Sequence, residues 1–184
     1  VDVAVIEVGM GGRLDSTNVI TPELSVITNI GYDHQQFLGD TLPKIAGEKA
    51  GIIKLGVPVV VGEYQPEVAQ VFEQKAEQEN APLFFAKDME LELSGFEAVT
   101  GYQQRNVRTA LAALNQLSSF TLSPRQKLEG VTKGLAFQQS QGRLLRLSER
   151  PQVVLDVAHN PQGIDELLSA VDTSSGRLDV LFAV

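Results

Sequence analysis

Four short segments of the chain concentrate the residue types that hold metals, phosphates or reacting carboxylates. The first, Glu7-Val8-Gly9-Met10-Gly11-Gly12-Arg13-Leu14-Asp15, begins with a hard carboxylate oxygen of the kind Mg²⁺ takes. It runs on into three glycines that let a backbone approach a ligand closely. Taken alone, such a glycine cluster is first a tight strand-to-loop turn with an exposed arginine. The second, Thr28-Asn29-Ile30-Gly31-Tyr32-Asp33-His34, puts one of only two histidines in a polar loop. A lone loop histidine is ordinarily solvated. Its place past a second strand, with Glu7 past the first, makes the pair candidates for one metal.

The third segment, Ala46-Gly47-Glu48-Lys49-Ala50-Gly51, has a plain reading in which Glu48 and Lys49 line a solvated helix face. Its four small residues, however, permit close packing at a cost in helix propensity. Burial favours the neutral amine of a lysine, and a neutral amine can add CO₂ to become a carbamate with oxygen to offer Mg²⁺. In the fourth, Asp156-Val157-Ala158-His159-Asn160-Pro161, an acid, an imidazole and an amide precede a helix N-terminus that favours anions. The same residues make an Asx-Pro turn capping that helix, and the two roles are compatible. Arg143 divides evenly between a surface charge and a phosphate clamp.

Several chemistries are excluded by pattern. A dinucleotide fingerprint needs glycine where Leu14 stands and a helix opening at once, whereas Thr17, Asn18 and Pro22 keep the segment irregular. The 184 residues contain no G-x-x-x-x-G-K-[ST] and no Gly-Lys pair, hence no phosphate loop. They contain neither a His-Glu-x-x-His zinc motif nor a Gly-x-Ser-x-Gly elbow.

The elements that must position these residues alternate between short apolar runs and helical patterns, as in parallel α/β architecture. Strands are expected at Val3–Val8, Leu24–Ile30, Val57–Val61, Leu83–Ala86, Val153–Val157 and Leu178–Val184. Helices are expected at Thr41–Ile53 behind Asp40 as cap, and at Pro66–Glu79, Asn106–Leu117, Pro124–Leu135 behind Ser123, and Gly163–Val171. Leu111, Leu114 and Leu117 form the apolar stripe of the third of these. A weaker strand pair is expected around Glu90–Val99, and a linker at Gln138–Gly142.

The net charge of −8 disfavours a nucleic-acid or anionic-membrane surface, which needs clustered Lys and Arg. The absence of cysteine removes disulfides and thiolate metal sites and fits a reducing, cytoplasmic setting. Apolar runs are too short to span a bilayer, and no secretory signal pattern is seen. With apolar, strand-like segments at both ends, the chain reads as an internal piece of a longer protein.

Together the segments resemble the folylpolyglutamate synthase/dihydrofolate synthase family, relatives of the Mur peptide ligases. The resemblance rests on EVGMGGRLDSTN (7–18), TNIGYDHQQFLGDTLPKIAGEKAGIIK (28–54), NVRTALAAL (106–114), QGR (141–143) and VVLDVAHNPQG (153–163), in family order across nearly the whole chain. The last block looks most like the bifunctional bacterial enzymes. Departures are mild: Met10 for the usual leucine, Ser16 for alanine, and Val107 for the alanine after Asn106.

The resemblance implies an α/β fold: a parallel-sheet, Mur-ligase-like central ATP-binding domain over 1–140 without its phosphate-loop part. The start of a Rossmann-like C-terminal domain would follow over 141–184. It implies Glu7 and His34 as Mg²⁺ ligands, with Lys49 as a carbamylated lysine completing the set. Arg13, Leu14 and Asp15 would line the pterin substrate, and Asn106, Arg143 and Asp156 would contact ATP. Lys49, Asp156 and His159 would serve the chemistry. The implied reaction joins L-glutamate to dihydropteroate, or to tetrahydrofolate and other folates, through an acyl phosphate, with ADP released. A cytoplasmic monomer is expected, and the 184 residues alone are expected to be inactive.

Three other readings fit the segments less well. A Mur-type peptide ligase is disfavoured by EVGMGGRLDSTN and EKAGIIK. A nucleotide-binding oxidoreductase lacks its glycine fingerprint. A non-catalytic paralogue would be signalled by loss of Glu7, His34 or His159, and all three are intact.

Overall fold

The computed structural model describes residues 2–93, 95–96, 99, 101–171 and 176–182. Its centre is a parallel sheet in the order β1 (Ser25–Ile27), β2 (Val59–Val61), β3 (Leu83–Phe85). Register is continuous: Ser25, Val59 and Leu83 stand side by side, as do Ile27, Val61 and Phe85. Between β1 and β2 run a short α1 (Gln35–Leu38) and α2 (Leu42–Ala50); between β2 and β3 runs α3 (Pro66–Gln78).

Alternation along β2 explains the layers. Val59 and Val61 point to one face, where they pack with Ile27, Ile45, Ile53, Val68 and Phe72. Val60 points to the other face and meets Ala112 of α4 (Gly101–Leu114). All three valines are buried, so β2 is covered on both faces as a central parallel strand must be. Full burial of each contributes on the order of 1.5–3 kcal/mol. A third cluster joins Val107 and Leu111 of α4 to Phe96, with Val131 and Leu135 of α5 (Pro124–Ser140) against it.

Beyond α5 come an antiparallel hairpin, β4 (Leu145–Glu149) with β5 (Gln152–Leu155), and α6 (Pro161–Ala170). The hairpin is irregular between Arg146 and Ser148, and the Arg150–Pro151 bond is cis. No helix among the described residues is long and apolar enough to cross a membrane.

The α/β class and parallel sheet agree with the sequence reading. Several local expectations are corrected. Residues 2–8 form no strand, and Val5 is 93% exposed. Among residues 178–182 of the other terminal run there is likewise no strand. A strand is stabilised by the ladder beside it, and apolar content alone supplies no partner. Val1 and residues 183–184 of those two runs lie outside the described residues.

The cap of α2 is Thr41, whose hydroxyl accepts from the Lys44 amide, while Asp40 pairs with the Lys44 side chain instead. Helix α4 begins at Gly101 rather than Asn106, and Leu117 falls beyond its end. Gln138–Ser140 belong to α5, not to a linker; glutamine is a good helix former, and polarity alone does not break a helix. Ser123 does cap α5, in a reciprocal capping box with Gln126. No strand occurs in the described part of 90–99, of which residues 94, 97 and 98 lie outside the description. Strand β4 was not anticipated.

Candidate functional site

The glycine loop is seated on the C-terminal end of α2. That helix end leaves carbonyls without intrahelical partners, and the loop supplies donors. The Arg13 amide donates to Glu48 O at 2.8 Å, and Asn18 Nδ2 donates to both Gly51 O and Arg13 O at 3.1 Å. Lys54 Nζ closes the turn on Asn18 O at 2.9 Å. The approach is close enough to require glycine. A Cβ on Gly51 would stand 2.4 Å from Arg13 Cβ, and one on Gly12 would stand 2.8 Å from Glu48 O. Gly47, by contrast, has nothing within 4 Å of where its Cβ would be, so only part of the small-residue surface is used.

Side chains complete the seat. The Arg13 guanidinium forks onto Glu48, with Nη2 2.9 Å from Oε1 and Nε 3.2 Å from both carboxylate oxygens. Asp15 folds the loop on itself. Its carboxylate accepts from the Thr17 hydroxyl at 2.6 Å and from the Met10 and Thr17 amides at 2.9 Å. The Thr17 hydroxyl first, then those amides, hold the Asp15 carboxyl down at about 2. Leu14 is left 79% exposed and faces Phe37 of α1 across a cavity of about 360 Å³ that Met10, Asp15, Leu38 and Glu48 also line. Lys49 follows Glu48 in the last turn of α2 and is half-buried.

His34 ends the second loop in a left-handed conformation, φ 46°, directly before α1. Its amide donates to Asp33 Oδ1 at 2.8 Å, and its ring is exposed. Asp33 Oδ2 accepts from Asn160 Nδ2 at 3.3 Å, although the two residues are 127 apart in sequence. Asn160 in turn caps α6, accepting from the Gly163 amide at 2.8 Å, so the Asx-Pro turn is real and reaches across the molecule besides. His159, next to it, is exposed, with Nδ1 3.1 Å from Val157 O. Asp156 accepts from the Leu144 and Ala158 amides, both at 2.8 Å, which ties it to the residue after Arg143.

Tyr102, one turn before Asn106 on α4, lies in the field of Asp156 and Arg143. Burial first, and then Asp156, push its phenol above the ordinary value, while Arg143 pulls it down. The structure thus brings Asp156 and Arg143 toward α4, with Asn106 exposed on that helix and Arg143 itself exposed. Glu7 is also exposed, just ahead of the glycine loop. Glu7, His34 and Lys49 stand on three different segments. Among the described residues, no group of three or more His, Asp or Glu side chains gathers tightly enough to hold a metal ion.

Sequence reasoning missed four participants. Glu48 was taken for a solvated carboxylate, although the small residues around it already signalled a close neighbour. Asp33 and Asn160 lie inside the motifs, but nothing in the sequence joins them. Tyr102 falls before the stretch expected to be helical.

A family model described as the Mur ligase middle domain matches residues 1–117. A folylpolyglutamate synthase of Lacticaseibacillus casei is 40% identical over 193 residues, covering 93% of this chain and 45% of that protein. A dihydrofolate synthase/folylpolyglutamate synthase of Bacillus subtilis is 36% identical over 207 residues, covering 100% of this chain and 48% of its own. A solved structure described as an FPGS-AMPPCP-folate complex superposes with a TM-score of 0.75 at 36% identity, over 90% of this chain and 45% of that one. The chain therefore spans about half the length of the curated relatives it matches.

Proposed function

We propose that this chain, which belongs to the Mur ligase middle-domain family and sits there among the folylpolyglutamate and dihydrofolate synthases, forms the core of an ATP-dependent, ADP-forming ligase. The ligase joins L-glutamate to dihydropteroate or to a folate, tetrahydrofolate included. The observation that carries this reading is the hydrogen bond between Asp33 and Asn160, which sets the loop of His34 against the loop of His159. A ligase of this kind needs such a junction, where a carboxylate, a phosphoryl group and an amine meet. Support for the ligands comes from the relatives: one solved neighbour is named as a complex with AMPPCP and folate.

In the proposed reaction a substrate carboxylate oxygen attacks the γ-phosphorus of ATP, and ADP leaves with the electrons of the broken P–O bond. The amine of L-glutamate then attacks the acyl carbon. The C–O bond breaks, phosphate departs carrying the former carboxylate oxygen, and the amine loses a proton as the amide forms. Leu14, with the exposed ring of Phe37 facing it, offers a planar heteroaromatic group an apolar wall. Asp15 holds the glycine loop in shape through its three donors, and Arg13 fixes that loop to α2 through Glu48. Asn106 and Arg143, both exposed, and Asp156, next to Arg143 through the Leu144 amide, would contact the nucleotide. His159 lies next to the capped N-terminus of α6, a setting that favours an anionic phosphoryl group.

Glu7 and a Lys49 carbamate would offer the carboxylate-type oxygen that Mg²⁺ takes. That ion takes one or two protein carboxylates plus phosphates and water, so it needs no three-acid cage. Glu7, His34 and a Lys49 carbamate would hold it, and it would neutralise charge on the transferring phosphoryl group. The remaining assignments are a boundary near residue 140, where a C-terminal unit begins, and a cytoplasmic monomer.

The test is Lys49→Ala in the full-length protein. The expected result is a fall in turnover of roughly 10- to 100-fold, the scale for loss of a metal-supporting group, with the unfolding midpoint little changed. Wild-type turnover in that variant would remove Lys49 from the metal set.

A further inference from the structure

The hydrogen bond between Asp33 and Asn160 does not hold α6 alone. Arg105, on α4, is a single guanidinium placed between two carboxylates from different parts of the chain. Its Nε donates to Glu63 Oε1 at 2.8 Å, just past the end of β2, and its Nη2 donates to Glu166 Oε1 in the second turn of α6. All three side chains are partly buried, with the arginine 38% and the glutamates 30% and 29% exposed. Near the same junction, Gln162 of α6 lies against Gly31 in the loop of His34. The N-terminal half of α6 is thus held at three points, and His34 and His159 stand next to the first of them, the Asp33–Asn160 bond.

We propose that Arg105 is a positioning residue: by bridging Glu63 and Glu166 it fixes α6, and with it the His159 loop, at a set distance from the His34 loop. The claim rests on the ligase reading given above. The rigid fork of an arginine holds two carboxylates at defined angles, which the point charge of a lysine does not. Within this chain α6 carries no buried residue, and these polar ties are what join its N-terminal half to the loop of His34 and to α4. In a ligase that makes an acyl phosphate, a loosened α6 admits water to that intermediate. The signature of a lost latch is therefore phosphate released without amide formed.

Two variants of the full-length protein, Arg105→Met and Glu166→Gln, test this by two readouts. Amide hydrogen exchange in α6 reads the latch irrespective of activity. Faster exchange in both variants is expected, and unchanged exchange in both overturns the latch. The ratio of phosphate released to glutamyl amide formed reads the positioning role. A rise on the order of threefold is expected, the factor a partly exposed ion pair supports, with Arg105→Lys falling between wild type and Arg105→Met. The double variant should add little to Arg105→Met alone, since that variant already removes the Glu166 contact along with the Glu63 one. Faster exchange with an unchanged ratio overturns the positioning role, because a merely structural tie would lower both products together. Wild-type protein that forms no amide would reject the ligase reading, while the exchange result would still decide the latch.

Discussion

The glycine loop is seated on the end of a helix and the histidine junction is built past strands β1 and β5, and the two are secured by different means. The loop of residues 9–18 is bound to the end of α2 by the Arg13 amide, the Asn18 side chain and the Arg13–Glu48 fork, and by backbone contact so close that Gly12 and Gly51 admit no side chain. The junction of the His34 and His159 loops is bound by polar side chains alone: Asp33 to Asn160, and Arg105 to Glu63 and Glu166. Backbone contact fixes a shape. Long polar side chains fix a distance that can change, at modest cost, when a ligand offers better partners. On the proposed ligase reading, the difference suits the first region to a substrate of constant shape and the second to one that changes.

Substitutions can break or sharpen this contrast. The largest expected effect is at Gly51. Gly51→Val drives a side chain into Arg13 and should destabilise the protein by about 1–3 kcal/mol, the usual range for overpacking, measured by urea unfolding. Gly47→Ala, in the same helix with open space around it, should do the reverse and stabilise by about 0.5–1 kcal/mol. Equal effects at the two glycines would mean that the loop does not sit on α2 as described.

At the junction, Asn160→Ala removes both the cap of α6 and the tie to Asp33. A loss of about 1 kcal/mol is expected from the cap, seen as faster amide exchange at the start of α6 with α2 unaffected. Exchange that rises equally in α2 would dissolve the distinction between the two regions.

The smallest effect is a matter of pH. Asp15 has its carboxyl lowered from 3.8 to about 2 in the folded protein. Its contribution is therefore complete above about pH 3.8 and is lost as pH falls toward 2. Asp15→Asn should flatten the stability profile in that window and leave its slope at neutral pH untouched, as followed by thermal unfolding across pH.

Much of this frame was legible in the sequence, and the exceptions share a cause. Val57–Val61 and Pro66–Glu79 declared themselves because a valine-rich run and a proline-led amphipathic run are local signals, and the observed elements fall within them. Ser123 was legible as a cap because its partner Gln126 is three residues away. Val3–Val8 failed because a strand depends on a neighbour that composition does not reveal. The linker expected at Gln138–Gly142 begins too early because polarity alone does not end a helix, and α5 runs on through Gln138 and Gln139 to Ser140.

The site shows the same division. The candidate residues were found as motifs, but the bond between Asp33 and Asn160 and the double pairing of Arg105 join residues that only the fold brings together. Glu48 lay between. The glycines and alanines around it announced a close neighbour, and only the structure shows that neighbour to be Arg13.

The most direct test of the central claim follows one oxygen atom. The full-length protein would be incubated with ATP, L-glutamate and a folate or dihydropteroate carrying ¹⁸O in its reacting carboxylate, and the released phosphate analysed by mass. Activation through an acyl phosphate predicts that each phosphate carries one ¹⁸O from the substrate, and that none is released without it. Unlabelled phosphate alongside normal amide formation would contradict the mechanism, and no amide with any of these substrates would contradict the function.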